Sequence, residues 1–199
     1  MRGDAREARA EQIEQAAYRV MDAKGFEGLS MLAVAKEAKA SNETLYRWYG
    51  DKTGLFAALI MRNTDSVRDA LERTQTDDPM TEISHLGPAL LTMLTGPRAV
   101  ALNRAAAADK TGTLGQTLGQ AGRERVFPWI IGVMDRACEA GLLTGAPGDI
   151  AETYLSLLVG DWQVRRVTGA MPPPDADQIH ARAETALTRL KLLFAGNSR

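Results

Sequence analysis

The 199-residue sequence predicts an all-α chain in two parts, an N-terminal three-helix segment and a C-terminal helical bundle joined by a connecting helix. Three observations carry that prediction. Apolar residues recur at three-to-four spacing almost throughout, with no convincing period-two alternation. Glycine and proline punctuate the periodic runs. Serine or aspartate stands where several runs begin, the position from which a side-chain oxygen caps free backbone N–H groups.

The first run carries Ile13, Ala16, Ala17 and Val20 on one stripe, and Gly25 stops it. Ser30 then caps a short segment from Met31 to Ala38, and Ser41 caps another from Asn42 to about Tyr49. Helices this short are marginal alone, so both must depend on packing. Asp51 caps a longer helix whose stripe is Leu55, Phe56, Leu59, Ile60, Val67 and Leu71, and TQTDDP (74–79) breaks it as a linker. Beyond the linker, breaks at Gly87-Pro88, Gly96-Pro97, 111–115, 145–148 and 172–174 divide the chain into about five helices. Pro128 falls inside RERVFPWIIGVMDRACEAG and is expected to kink that helix, unless the segment before it is separate. The spacings around Gly115, Gly119 and Gly122 suggest a loosely helical connection.

A long helix, a short helix, a tight turn and a second short helix describe a helix-turn-helix, in which the second short helix enters the DNA major groove while the first crosses the backbone. GFEGLS (25–30) followed by LAVAKEAKASNETLYRWYGDKTGLF (32–56) resembles the DNA-binding domain of the TetR family of transcriptional regulators. The likeness covers about residues 10 to 60, and its most specific part is Thr44-Leu45-Tyr46 followed six residues later by Lys52. It implies a helix-turn-helix DNA-binding domain over 1–50, then a connecting helix and an effector-binding and dimerisation domain over 51–199.

Within that frame, Tyr46 and Lys52 resemble the family's phosphate contacts, a phenol on the helix and an ammonium at the start of the next. Ser30 and Thr44 can donate hydroxyl hydrogen bonds to phosphate, and helix N-termini, one of them capped by Ser41, add partial positive charge. Base reading falls to Asn42, Glu43, Thr44 and Arg47, since amide with adenine, carboxylate with cytosine and guanidinium with guanine are the favoured pairings. Arg47 has two other roles open, a solvated arginine or a phosphate contact. Trp48 either packs beneath the helix or stacks along the sugar-phosphate backbone, and Tyr49 is expected in the core. Ala35, Ala38 and Leu45 are expected inside, where small side chains let the short helices cross closely.

Two features depart from the family pattern. The turn reads Ala38-Lys39-Ala40-Ser41, with Lys39 where a left-handed backbone favours glycine. Between residues 1 and 55, nine Lys or Arg (2, 6, 9, 19, 24, 36, 39, 47, 52) oppose nine Asp or Glu, so the headpiece is neutral where a basic one is expected. Lys36, Lys39, Arg47 and Lys52 must therefore gather on the DNA face for local placement to supply the field.

In the C-terminal part the resemblance implies a small-molecule effector pocket and a homodimer interface. Met93, Phe127, Trp129, Met134 and Trp162 are candidate lining, although such a stripe is also ordinary core. Arg104, inside the apolar run AVALNRAAAA, is open to a buried carboxylate or an anionic ligand. One stripe holds Ile150, Tyr154, Leu157, Leu158 and Trp162, another Ile179, Ala183, Ala186, Leu187, Leu190 and Phe194. Such a pair either docks on its copy as a four-helix bundle or completes the core of one chain. Tyr154, Leu158, Ala183, Leu187, Leu190 and Phe194 are the interface candidates. The effector expected is small and largely apolar or aromatic.

Composition narrows the alternatives. No run of eighteen apolar residues spans a membrane and MRGDAREARAEQ is charged, so a cytoplasmic protein without membrane contact is expected. Cys138 is the only cysteine and His85 and His180 the only histidines, too few for a disulfide or an ordinary transition-metal site. No phosphate loop, nucleophile elbow or paired histidines point to a cofactor or to catalysis. An all-helical enzyme would need carboxylates on inward stripes, whereas Asp109, Asp135 and Asp161 have polar neighbours. A helical interaction protein without DNA binding is the other alternative, and it draws on the neutral headpiece and Lys39.

Overall fold

The computed structural model describes residues 2–73 and 76–196. Thr74 and Gln75 of the expected linker lie outside the described residues, as does the Leu71 side chain. The order is α1 (Arg2–Lys24), α2 (Met31–Glu37), α3 (Asn42–Tyr49), α4 (Lys52–Arg73), α5 (Pro79–Thr95), α6 (Pro97–Ala108), α7 (Thr113–Leu118), α8 (Glu124–Glu139), α9 (Pro147–Val159), α10 (Trp162–Thr168) and α11 (Ala176–Leu193). One π-helical turn, Gly119–Arg123, joins α7 to α8. No strand is present among the described residues.

The expected caps are in place. Gly25 ends α1 at φ 67°, and its N–H donates to the Met21 carbonyl at 2.8 Å. The Ser30 hydroxyl accepts from Ala33 N at 3.1 Å, the Ser41 hydroxyl from Thr44 N at 3.0 Å, and the Asp51 carboxylate from Gly54 N at 2.8 Å. Each meets a donor that the first helical turn cannot pair internally.

The described residues pack as two compact units, one of residues 2–62 with 101–121, the other of 63–73 and 76–100 with 122–196. In the first, Ile13, Ala16, Ala17 and Val20 of α1 pack with Val34, Ala35 and Ala38 of α2, with Leu45, and with Leu55, Phe56, Leu59 and Ile60 of α4. Leu102, Ala105 and Leu114 complete that core. In the second, α5 packs against α8, α9, α10 and α11. α4 contributes to both cores, through Leu55 to Ile60 in one and Val67 in the other.

Several expectations are corrected here. Gly87-Pro88 is not a break, because α5 runs through both. A β-carbon on Gly87 would lie 2.5 Å from the Tyr154 hydroxyl and 3.1 Å from Ala183 Cβ, so the glycine gives clearance to neighbouring helices rather than a stop. Tyr154, fully buried, donates to the Ile83 carbonyl at 3.2 Å, one turn before Pro88. Seven α-helices follow the linker instead of about five. The stripe from Ile150 to Trp162 is not one helix, since Gly160 at φ 50° ends α9 and Trp162 begins α10. Around Pro128 the helix stays continuous although the proline has no N–H to give the ladder, and the segment's irregularity is the π-helical turn just upstream.

Candidate nucleic-acid interface

α3 has two unlike faces. Leu45 is completely buried and anchors the helix, a burial contributing about 2 kcal/mol. Asn42, Glu43, Tyr46 and Arg47 are exposed at i, i+1, i+4 and i+5, a polar face on the side away from Leu45. Tyr46 is 51% exposed, unusually open for an aromatic side chain on a packed helix. The Ser41 and Thr44 hydroxyls bond each other at 2.8 Å at the helix N-terminus. The face thus offers an amide, a carboxylate, a phenol and a guanidinium, donors and acceptors of both kinds.

Trp48 and Tyr49 flank the buried side. Trp48 is half-buried, edge-on to Tyr49 at 6.5 Å and 5.3 Å from the Arg6 guanidinium, so it packs beneath the helix. The Tyr49 hydroxyl is buried without a hydrogen-bond partner. Desolvation, reinforced by the charge of Glu14, pushes its phenol up to about 12. Glu14 itself is buried and accepts from Arg62 Nε at 3.0 Å, while Arg62 Nη1 reaches Glu7 at 3.0 Å. That pairing ties α1 to the middle of α4.

Lys39 does adopt the left-handed conformation, at φ 49°, the one non-glycine residue with positive φ among those described. Ala40 N donates to Ala35 O at 2.9 Å and Lys39 N to Lys36 O at 3.2 Å, the two bonds of a Schellman motif closing α2. The lysine therefore stands in for glycine without altering the turn. Lys52 is placed differently from a free ammonium: Nζ donates to the Phe26 carbonyl at 2.6 Å and sits 3.9 Å from the Phe26 ring centroid. Desolvation lowers its pKa, opposed by the charge of Glu27. Ser30, Lys36, Lys39 and Arg47 are exposed.

Of the expected effector residues, Met93, Phe127, Trp129, Met134 and Trp162 lie in or against one hydrophobic core. Met93 lines a concavity of about 410 Å³ with Asn63, Ser66, Ala89, Thr92, Gly96, Pro97 and Arg98. Met134 is completely buried in that core, and Phe127, Trp129 and Trp162 are part-buried against it. Phe127 and Trp162 lie beneath the guanidinium groups of Arg123 and Arg182, at 4.7 and 5.7 Å. Arg104 is exposed and belongs to the other compact unit. Tyr154, Leu158, Ala183 and Leu190 are buried inside their own unit and have no surface to offer a second chain; Leu187 and Phe194 keep part of theirs. The amphipathic stripe on α9 is covered by α8 and α11 and that on α11 by α5 and α9, and sequence periodicity cannot distinguish such partners from a second copy.

Arg6, Arg9 and Phe26 are the residues that local sequence reasoning missed. Each acts on a residue far along the chain, and no local spacing signals such a contact.

A capped recognition-type helix on a three-helix headpiece, followed by an all-α bundle, defines a helix-turn-helix regulator of transcription. Two family models match in that order: bacterial regulatory proteins of the tetR family over residues 13–59, and the C-terminal domain of AefR-like transcriptional repressors over residues 81–190. The chain belongs to the TetR family of transcriptional regulators. HTH-type transcriptional regulators from several Staphylococcus aureus strains are 42% identical to it over 65 residues, 33% of this chain and 35% of theirs. It thus spans about a third of the length of the curated relatives it matches. A TetR transcriptional regulator from Agrobacterium tumefaciens superposes with a TM-score of 0.76 at 25% identity, covering 95% of each chain. A complex of SmeT with triclosan has the same fold, with a TM-score of 0.71 at 18% identity over 96% of this chain and 93% of that one. No described helix is long and apolar enough to cross a membrane.

Proposed function

We propose that this chain is a cytoplasmic, homodimeric repressor that binds a palindromic double-stranded DNA operator and is released by a small-molecule effector. The observation that carries the proposal is the exposed face of α3, where Asn42, Glu43, Tyr46 and Arg47 stand clear of the core around a completely buried Leu45. Arg47 and the amide and carboxylate before it read base edges, while Tyr46, Thr44 and Ser30 take backbone phosphate. Lys52 adds a phosphate contact through donors not used by Phe26. Residues 1–50 carry that role, and 51–199 carry the effector site and dimer contacts. Triclosan, bound by SmeT, is a small aromatic compound of the kind proposed as effector here, and the concavity at Met93 is a candidate entrance. The part-exposed Leu187 and Phe194 of the α11 end remain available to a second copy.

Selection of duplexes from a random-sequence DNA library tests this. Enrichment of a two-fold symmetric sequence, its half-sites roughly one or more 10 bp turns apart, is the expected result. Absence of any enriched sequence favours a helical interaction protein that does not bind DNA.

A further inference from the structure

We propose that Arg9 is a positioning residue of the helix-turn-helix, clamping the left-handed turn at Lys39 and so fixing where α3 begins relative to α2. Only the functional half of that role rests on the DNA reading above; the clamp itself stands on geometry. Arg9 Nη2 donates to the Lys39 carbonyl at 2.6 Å across thirty residues of sequence, and Nη1 is held by Gln12 Oε1 at 2.7 Å, which fixes the plane of the guanidinium. The carbonyl belongs to the one described non-glycine residue with positive φ. A residue with a β-carbon holds that conformation less readily than glycine does, so the turn needs support from elsewhere.

Arg9 supplies two kinds of support. A charged donor makes a stronger hydrogen bond than a neutral one. A cation at the C-terminal end of α2 also meets the negative end of the helix dipole and its unpaired carbonyls. Two residues after Lys39 comes Ser41, whose hydroxyl caps α3, and then the exposed face begins at Asn42. If Lys39 leaves the left-handed region, the Ser41 cap and the start of α3 move with it. Arg19, paired with Glu37 at 2.7 Å, ties α1 to α2 independently, so the headpiece keeps a second link when Arg9 is replaced.

Four proteins test the clamp: the wild type, Arg9→Met, Lys39→Gly and the double variant. In urea unfolding without DNA, Arg9→Met is expected to lower the folding equilibrium constant about fivefold in the Lys39→Gly background, where the turn stays left-handed and the whole hydrogen bond is lost, and less than about twofold in the wild-type background, where the freed turn relaxes and relieves its strain. Strict additivity overturns the clamp. With a selected duplex and a random duplex of equal length, Arg9→Met is expected to reduce the ratio of their affinities several-fold, and Lys39→Gly to restore it with an unchanged salt slope. A salt slope lowered by about one, equally in both backgrounds, instead makes Arg9 a phosphate contact and overturns the positioning role. An unchanged affinity ratio does the same. If the library yields no enriched duplex, the DNA reading fails while the urea cycle still decides the clamp.

Discussion

The headpiece and the bundle solve the same packing problem with different materials. In the headpiece two short helices of seven and eight residues, each held by a serine cap, share a core with α1 in which small side chains recur, Ala16 and Ala17 from α1 and Ala35 and Ala38 from α2 and its C-cap. The bundle packs large side chains between its helices, among them Tyr154, Leu86, Leu90 and Leu91, with polar groups satisfied inside: Tyr154 by Ile83 and Glu82 by Arg136. Small residues and caps leave one side of α3 uncommitted to packing. The bundle's amphipathic stripes, in contrast, are mostly covered within their own unit, with Leu187 and Phe194 part-exposed. The difference teaches that the two regions are sensitive to different changes, volume in the bundle and end chemistry in the headpiece.

Four substitutions probe that contrast, in order of decreasing effect. Gly87→Val forces side-chain volume against Tyr154 and Ala183 and is expected to cost about 3 kcal/mol in urea unfolding, with a smaller loss if the bundle can yield. Arg136→Leu strips the partner from the buried Glu82 carboxylate; because Arg136 is half exposed, about 2 kcal/mol is expected by the same measurement. Ser41→Ala removes the cap of α3 and is expected to cost about 1 kcal/mol, with loss of helical circular dichroism confined to the headpiece's share. Tyr49→Phe runs the other way: deleting an unpartnered buried hydroxyl is expected to stabilise by about 0.5 kcal/mol at neutral pH. The Tyr49 phenol is raised from 10.0 to about 12 on folding, so its contribution is present below pH 10 and is lost as pH rises toward 12. The gap between Tyr49→Phe and wild type should therefore widen across that window in alkaline urea titrations.

Legibility followed the same division. The headpiece was readable because its signals are local: Ser30, Ser41, Asp51 and Gly25 cap or stop helices by bonds to residues no more than four away. Its long-range supports, Arg9 to Lys39 and Lys52 to Phe26, were invisible for the same reason. In the bundle, Gly87-Pro88 looks like a stop, but the glycine answers to Tyr154, which lies far along the chain. The stripes of α9 and α11 were legible as apolar, and their partner was not. Periodicity reports that a face must be covered and says nothing of what covers it.

The central claim is that the exposed face of α3 distinguishes DNA sequences while its flanks hold the backbone. Binding of wild type, Arg47→Ala and Tyr46→Phe to a selected duplex and a random duplex, across a range of salt concentrations, tests it most directly. Arg47→Ala is expected to lose about 1–3 kcal/mol on the selected duplex and much less on the random one, whereas Tyr46→Phe weakens both alike. Equal affinity of the wild type for the two duplexes, or an Arg47→Ala loss shared equally between them, contradicts the account.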